Sequence, residues 1–330
     1  MTRNFNLPFS IVFLVSFATL AFLEVIHREQ LYNTQLIMGS YDVIDRIPPW
    51  KANQSRLMGP GILKLLTILG FSKWWAIRIF TLFFVVINNF LIVKVSSSFT
   101  DSKYLNLNSL IFFNSFFIIS QHKWLYVWDF IDITFFIFYS SVILYKKNFK
   151  YLLFINFLHI FNRESFLIMS IFFIIFTYFE ENLKMDVILK SKVIQGLFFN
   201  IVFGVTYVYF SREILFIGGS PLIASSEDTE SSFLAGSWLT LKKNFYILTQ
   251  GDERAKDIII FLFVILVLSY LIINFIKFNR TEKYFSFLML LNISSIFLFG
   301  IYTETRLYFS SILLLTFLLQ SRNKYSSKIE

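Results

Sequence analysis

Apolar runs of nearly membrane-crossing length, each closed by a short polar or basic break, recur along most of the chain. A helix needs about 20 mainly apolar residues to cross a hydrocarbon core of ~30 Å. Residues 7–26, 74–95, 104–120, 126–145, 193–210, 258–276, 284–301 and 307–320 are the runs read as spans. The first resembles a secretion signal, but it has no small-x-small cleavage site, and Glu24 and His27 follow it, so a retained span is expected. Between the first two runs, residues 27–73 form a mixed loop broken by Pro48, Pro49, Gly59, Pro60 and Gly61. Within it, 62–69 is too short to span and is expected to lie at the interface as a small helix. A second polar loop, 211–256, holds an acidic Ser/Thr-rich stretch at 225–232 and a surface-helix pattern at 237–249.

The stretch 151–179 does not fit this rhythm. It is apolar on both sides of Asn162, Arg163 and Glu164, yet too short for two full spans, which take about 40 residues. Basic residues decide its course. If it rises and returns as two short helices, Lys184/Lys190/Lys192, Lys277/Arg280/Lys283 and Arg322/Lys324/Lys328 all share the side of Lys146/Lys147/Lys150 and of the N-terminus. A single span would divide them between two sides. The expected fold is therefore all-α: one transmembrane domain over 1–330 with about ten membrane helices, both termini cytoplasmic, in a bacterial cytoplasmic membrane. Broken helices at that depth are tolerated where they line a protein-enclosed or wet cavity.

Composition agrees. The chain is 56% hydrophobic and only 15% charged, with mean hydropathy +0.64, against about 25% charged for a soluble domain. Its net charge of +9 does not indicate nucleic acid, because Lys and Arg cluster at the ends of apolar runs as orientation signals do. The 45 Phe are spread along the whole chain, as lipid-facing filler would be. With no Cys, thiolate chemistry and disulfides are excluded, and three scattered His make a His-rich zinc site a poor expectation. No internal repeat is evident, so a repeat-built transporter gains no support.

Charges out of place in this pattern gather on the outer side. They are Asp42, Asp45, Arg46 and Arg56 in the first loop, Asp129 and Asp132 at the start of a span, Arg163 and Glu164, and Glu304 and Arg306 before the last span. A charge at membrane depth costs about 2.5–3.5 kcal/mol on insertion scales and normally faces protein or a wet cavity. Each has an ordinary reading too. Asp42 and Asp45 suit a turn before Pro48, Asp129 and Asp132 a helix start, Glu304 and Arg306 an exposed pair, and Arg163 and Glu164 neutralise each other. His159 reads as a hydrogen-bonded interior residue, and Glu24 as interfacial. Taken together the set suits chemistry on a phosphate-bearing lipid. A surface carboxylate serves as general base, arginines grip phosphate in a bidentate way, and acidic pairs offer oxygen ligands to Mg or Mn, although metal-free schemes are equally allowed.

The order of these motifs carries a resemblance. An acidic outer loop follows the first span, Arg56-x-x-x-Pro60 opens the next helical region, and Trp128-Asp129-x-x-Asp132 starts a helix. Asn162-Arg163-Glu164 then separates two short helices, and Glu304-x-Arg306 precedes the last span. This resembles bacterial GT-C-type polytopic glycosyltransferases. The resemblance implies a polyprenyl-phosphate-linked sugar donor, Asp42 or Asp45 as catalytic base, and Arg46, Arg56, Asp129, Asp132, Arg163, Glu164, Glu304 and Arg306 around the substrate. It implies work in cell-envelope polysaccharide or glycolipid biosynthesis, with other glycan-assembly proteins and membrane lipid as partners. The Asp pair lies further from the first span than the family's acidic residue, and Glu24 competes for the role. Rival expectations are an O-antigen-type polysaccharide polymerase, a lipid-linked-sugar flippase or permease, and a non-catalytic assembly partner.

Overall fold

The computed structural model describes residues 7–27, 36–48, 51–100, 102–119, 126–145, 149–180, 191–217, 255–299 and 305–326. Every regular element among them is helical. In chain order these are α1 (Phe9–His27), α2 (Leu36–Ile44), α3 (Met58–Ile68), α4 (Lys73–Ser96), α5 (Lys103–Ile119), α6 (Val127–Tyr145) and α7 (Phe149–Ile160). They continue as α8 (Ser165–Glu180), α9 (Lys192–Phe210), α10 (Ala255–Asn274), α11 (Arg280–Phe299) and α12 (Phe309–Ser326). A 3-10 turn at Lys51–Ser55 precedes α3, and α9 runs on into a π-helical turn at Ser211–Leu215.

Among the described residues, three helices are long and apolar enough to cross a membrane: Lys73–Ser96, Val127–Tyr145, and α9 with its π-turn, Lys192–Leu215. The remaining apolar helices have described apolar lengths of 10–17 residues. Two of these, α7 and α8, are the halves of the 151–179 stretch, which forms two helices and not one long span. The loop expected at 27–73 contains a helix the pattern did not announce, α2. The surface helix expected at 237–249 and the acidic stretch 225–232 lie outside the described residues.

The chain divides into two compact units. One comprises Met1–His27, Val85–Trp124 and Gly236–Glu330, the other Arg28–Phe84 and Leu125–Ala235, so α4 contributes to both. In the first unit, polar side chains on apolar helices are tied to one another, as they must be where water is absent. Asn89 and Asn114 exchange amide hydrogen bonds at 3.3 and 2.8 Å. Asn89 also donates to Ser16 and Thr19 donates to Asn114, which fastens α1 to α4 and α5. A capping box opens α11: Asn279 Oδ1 accepts the Glu282 N–H at 3.0 Å, and Glu282 Oε2 accepts the Asn279 N–H at 2.9 Å. The other Glu282 oxygen takes Ser321 Oγ from α12 at 2.8 Å, and Asn292 donates to Ser310 and Ser311.

The second unit holds α2, α3, the first part of α4, α6–α9 and the π-turn. Close helix approaches shape it. A Cβ on Gly59 would sit 2.6 Å from Val127 Cγ2, and one on Gly204 would sit 2.2 Å from the Phe166 ring. Missing side chains there let α3 press on the start of α6, and α9 on α8. The helix pair α7–α8 is a hairpin: Asn156 donates to the Phe166 carbonyl at 3.2 Å and accepts from Ser170 at 2.9 Å. Its break is anchored on both sides, since the Phe161 carbonyl accepts the first N–H of α3, from Met58, and Asn162 donates to the Trp128 carbonyl. Helix α2 ends in a Schellman turn, with Ile47 N–H on the Asp42 carbonyl and Arg46 N–H on that of Val43. Arg46 holds the left-handed position at φ 66° without being glycine, a conformation that costs about 1–2 kcal/mol for an L-residue.

Candidate functional site

The break between α7 and α8 projects Arg163 and Glu164, adjacent in sequence, to different partners. Arg163 Nη1 lies 3.1 Å from Asp129 Oδ1 and 3.6 Å from Asp132 Oδ2. Glu164 is held by Arg56 Nη2 at 3.2 Å through one oxygen and by Arg212 Nη2 through the other. The two do not neutralise each other, contrary to the ordinary sequence reading. Instead the cluster has a carboxylate-rich half, one guanidinium on two aspartates, and a guanidinium-rich half, two guanidiniums on one glutamate.

The carboxylate-rich half grows from the start of α6. Spacing of three puts Asp129 and Asp132 on one helix face, and both meet Arg163. Asp129 Oδ2 also accepts the Tyr126 N–H at 2.9 Å, closing the first turn of α6. Asp132 Oδ1 receives His159 Nε2 at 2.7 Å and Ser165 Oγ at 3.0 Å. His159 is fully buried, and its Nδ1 lies 3.0 Å from the Tyr139 hydroxyl. A carboxylate can only accept, so the His159 Nε2 that meets Asp132 is the donor there, while Nδ1 meets the Tyr139 hydroxyl, which also accepts from Asn156. Ser165 and Asp132 thus share one ring nitrogen, whereas an acyl-transfer triad places them on opposite nitrogens. Tyr139–His159–Asp132 is a positioning chain for Arg163.

The guanidinium-rich half is assembled from three elements. Arg56 follows the 3-10 turn, Glu164 caps the hairpin, and Arg212 stands in the π-turn after α9. Ser55 Oγ bridges them, accepting from Arg212 and donating to Glu164 Oε1, each at 3.3 Å. The Tyr207 hydroxyl seals the Ser55 carbonyl at 2.9 Å. Arg56 stacks over the Trp128 ring at 5.0 Å, and Tyr126 stacks on Trp128 at 4.4 Å between centroids. Arg212 is 1% exposed and Arg56 10%, while Glu164 is 26% exposed and is the accessible member. Two buried donors nearby, Trp128 Nε1 and Asn53 Nδ2, have no acceptor among the described residues. Asn53 Oδ1 faces Arg56 Nη1 at 3.1 Å, which fixes the orientation of that amide.

Asp42 sits on α2 beside Asp45 and Lys73. Burial, then the Asp45 charge, push its carboxyl up to about 6, with Lys73 pulling the other way. Its Oδ2 is buried with no hydrogen-bond partner among the described residues. Asp45 and Arg46 are exposed. The structure brings Arg56, Asp129, Asp132, Arg163 and Glu164 together; Asp42 lies in the same unit, beside Asp45 and Lys73. Glu304 and the side chain of Arg306 lie outside the described residues. The Asp129/Asp132 pair does not fit a divalent cation, because its oxygens are taken by Arg163, His159, Ser165 and the Tyr126 amide. Among the described residues no group of three or more His, Asp or Glu could hold one. Arg212 escapes sequence reasoning: a charge directly after an apolar run looks like any interfacial anchor.

Comparison with known proteins finds no matching family model, no matching curated protein and no matching solved structure.

Proposed function

We propose that the chain is a polytopic membrane glycosyltransferase of about ten membrane helices, embedded in a bacterial cytoplasmic membrane. On this reading it transfers a sugar from a polyprenyl-phosphate-linked donor to a glycan or lipid acceptor at the outer face. The observation that carries the reading is the guanidinium pair Arg56/Arg212 around a single, partly exposed carboxylate. Two planar guanidinium donors at one spot match the oxygens of a phosphate or diphosphate leaving group, and in a water-poor site they stabilise the charge that develops there. Asp42 supports it further. A carboxyl near 6 with an unpartnered oxygen is ionised at neutral pH and basic enough to accept a proton from an acceptor hydroxyl.

A permease is the weaker reading. Its charges should line a path through the bundle, but the chain running inward from Arg163 ends in amides, with Asn156 on Tyr139 and Asn200 on Asn156. The reading is tested by reconstituting the full chain in lipid nanodiscs with a polyprenyl-phosphate-linked radiolabelled hexose and membrane lipid acceptors. Label leaving the donor, with polyprenyl phosphate released, is the expected result. An intact donor alongside elongation of supplied lipid-linked repeat units would point to a polymerase instead. An intact donor with no product of either kind would remove both enzyme readings.

A further inference from the structure

The role of Glu164 follows from what surrounds it. Its carboxylate stands between Arg56 and Arg212 and receives Ser55 Oγ, so its two oxygens occupy the positions an oxyanion would take on that guanidinium pair. Two guanidiniums meet on the Glu164 carboxylate, and the buried Trp128 Nε1 and Asn53 Nδ2 lack an acceptor among the described residues. Glu213 adds its charge beside Arg212 from an exposed position. A diphosphate carries more charge and more acceptor oxygens than one carboxylate, so it would satisfy this donor set more fully. Glu164 is also the accessible member of the trio and lies at the helix break, on a short non-helical stretch between α7 and α8. Such a position lets one side chain swing away while Asn162 and Arg163 keep the break anchored on Trp128, Asp129 and Asp132.

We propose that Glu164 is an internal stand-in for the substrate's phosphate: a carboxylate latch that neutralises Arg56 and Arg212 in the resting protein and is displaced when a diphosphate binds. This rests on the phosphate-site reading above and extends it to regulation of that site. The latch keeps two buried guanidiniums from standing unpaired, a costly condition in a dry interior, and it makes binding selective, since a monovalent anion would not repay its displacement.

Purified full-length protein in detergent is titrated with inorganic pyrophosphate, and separately with farnesyl diphosphate, by following Trp fluorescence and the thermal midpoint. Wild type is expected to bind with a measurable midpoint rise. Glu164→Gln, which keeps the shape but removes the competing charge, should bind pyrophosphate roughly ten- to a hundredfold more tightly. Adding Arg212→Gln to it should abolish the gain. Tighter binding of farnesyl diphosphate than of pyrophosphate would assign the site to a lipid headgroup, and equal binding to free diphosphate. If Glu164→Gln does not fold, wild type and Arg212→Gln alone decide: a pyrophosphate-dependent midpoint rise present in the first and lost in the second supports the latch. No affinity gain in a folded Glu164→Gln protein, or no midpoint rise in wild type, overturns it. Diphosphate binding without sugar transfer would sink the transferase and leave the latch, whereas sugar transfer with no affinity gain would do the reverse.

Discussion

Asp42 and Arg163 are partly buried charges of opposite kinds, and their variants should diverge. Asp42 carries a cost in the fold. Its folded-state carboxyl lies near 6 and the unfolded one near 3.8, so the native state holds more protons between those values. Stability therefore falls as pH rises through that window, and Asp42→Asn should keep or raise the thermal midpoint at pH 7. The same substitution should lower sugar transfer by about 10²–10⁴-fold if Asp42 is the general base. The wild-type rate should drop as pH falls through about 6, where the base becomes protonated. A midpoint that falls in Asp42→Asn, or a rate that is flat down to pH 5, would count against this assignment. Arg163→Ala should behave in the opposite way. It leaves Asp129 and Asp132 facing each other without their cation, and breaking such a pair costs about 3–5 kcal/mol. Thermal unfolding in detergent measures it; a loss under 1 kcal/mol would show that the aspartates are hydrated independently of Arg163.

At the scale of elements, the hairpin α7–α8 was legible in the sequence and α2 was not. An apolar stretch too short for two spans, interrupted by Asn162-Arg163-Glu164, has few ways to fold. Charge asymmetry then chose between them. Helix α2 was hidden because Gly39, Asp42 and Asp45 have turn character and the segment is short, so nothing in its pattern outweighs the nearby prolines. Only its tertiary ties reveal it: Gln54 donates to the Val43 carbonyl and Ile217 N–H reaches the Arg46 carbonyl. The same limit hid Arg212, whose partner is remote in sequence. The approach of α9 to α8 gives a test of the packing that carries the site. Gly204→Ala would put a methyl into the Phe166 ring, one residue beyond Ser165, and should destabilise the protein by about 1–3 kcal/mol. A stability change near zero would mean that α8 and α9 sit further apart.

At the scale of the whole molecule, three helices among the described residues meet the length and hydropathy of a span, and the remaining described apolar helices are shorter. The ten-helix topology with both termini cytoplasmic thus rests on the positive-inside distribution and on the hairpin reading of α7–α8. The natural absence of cysteine makes it directly testable. A single Cys at Ser231, in the 211–256 loop, should react with a membrane-impermeant maleimide in intact cells. One at Lys147 or Ser327 should react only after permeabilisation. Labelling of Ser231→Cys and Lys147→Cys from the same side would invert every later segment and separate the charged cluster from the first loop.

The central claim is that Asp42 and the guanidinium pair serve one glycan-forming site. The most direct measurement is complementation of cells lacking the chain with wild type, Asp42→Asn and Arg56→Gln, reading surface glycan on a gel and protein level in the membrane together. The account predicts that wild type restores the glycan, whereas both variants reach the membrane at normal level and leave it absent. Wild-type glycan from both variants at matched protein level would contradict it and leave a membrane scaffold or transporter as the better account.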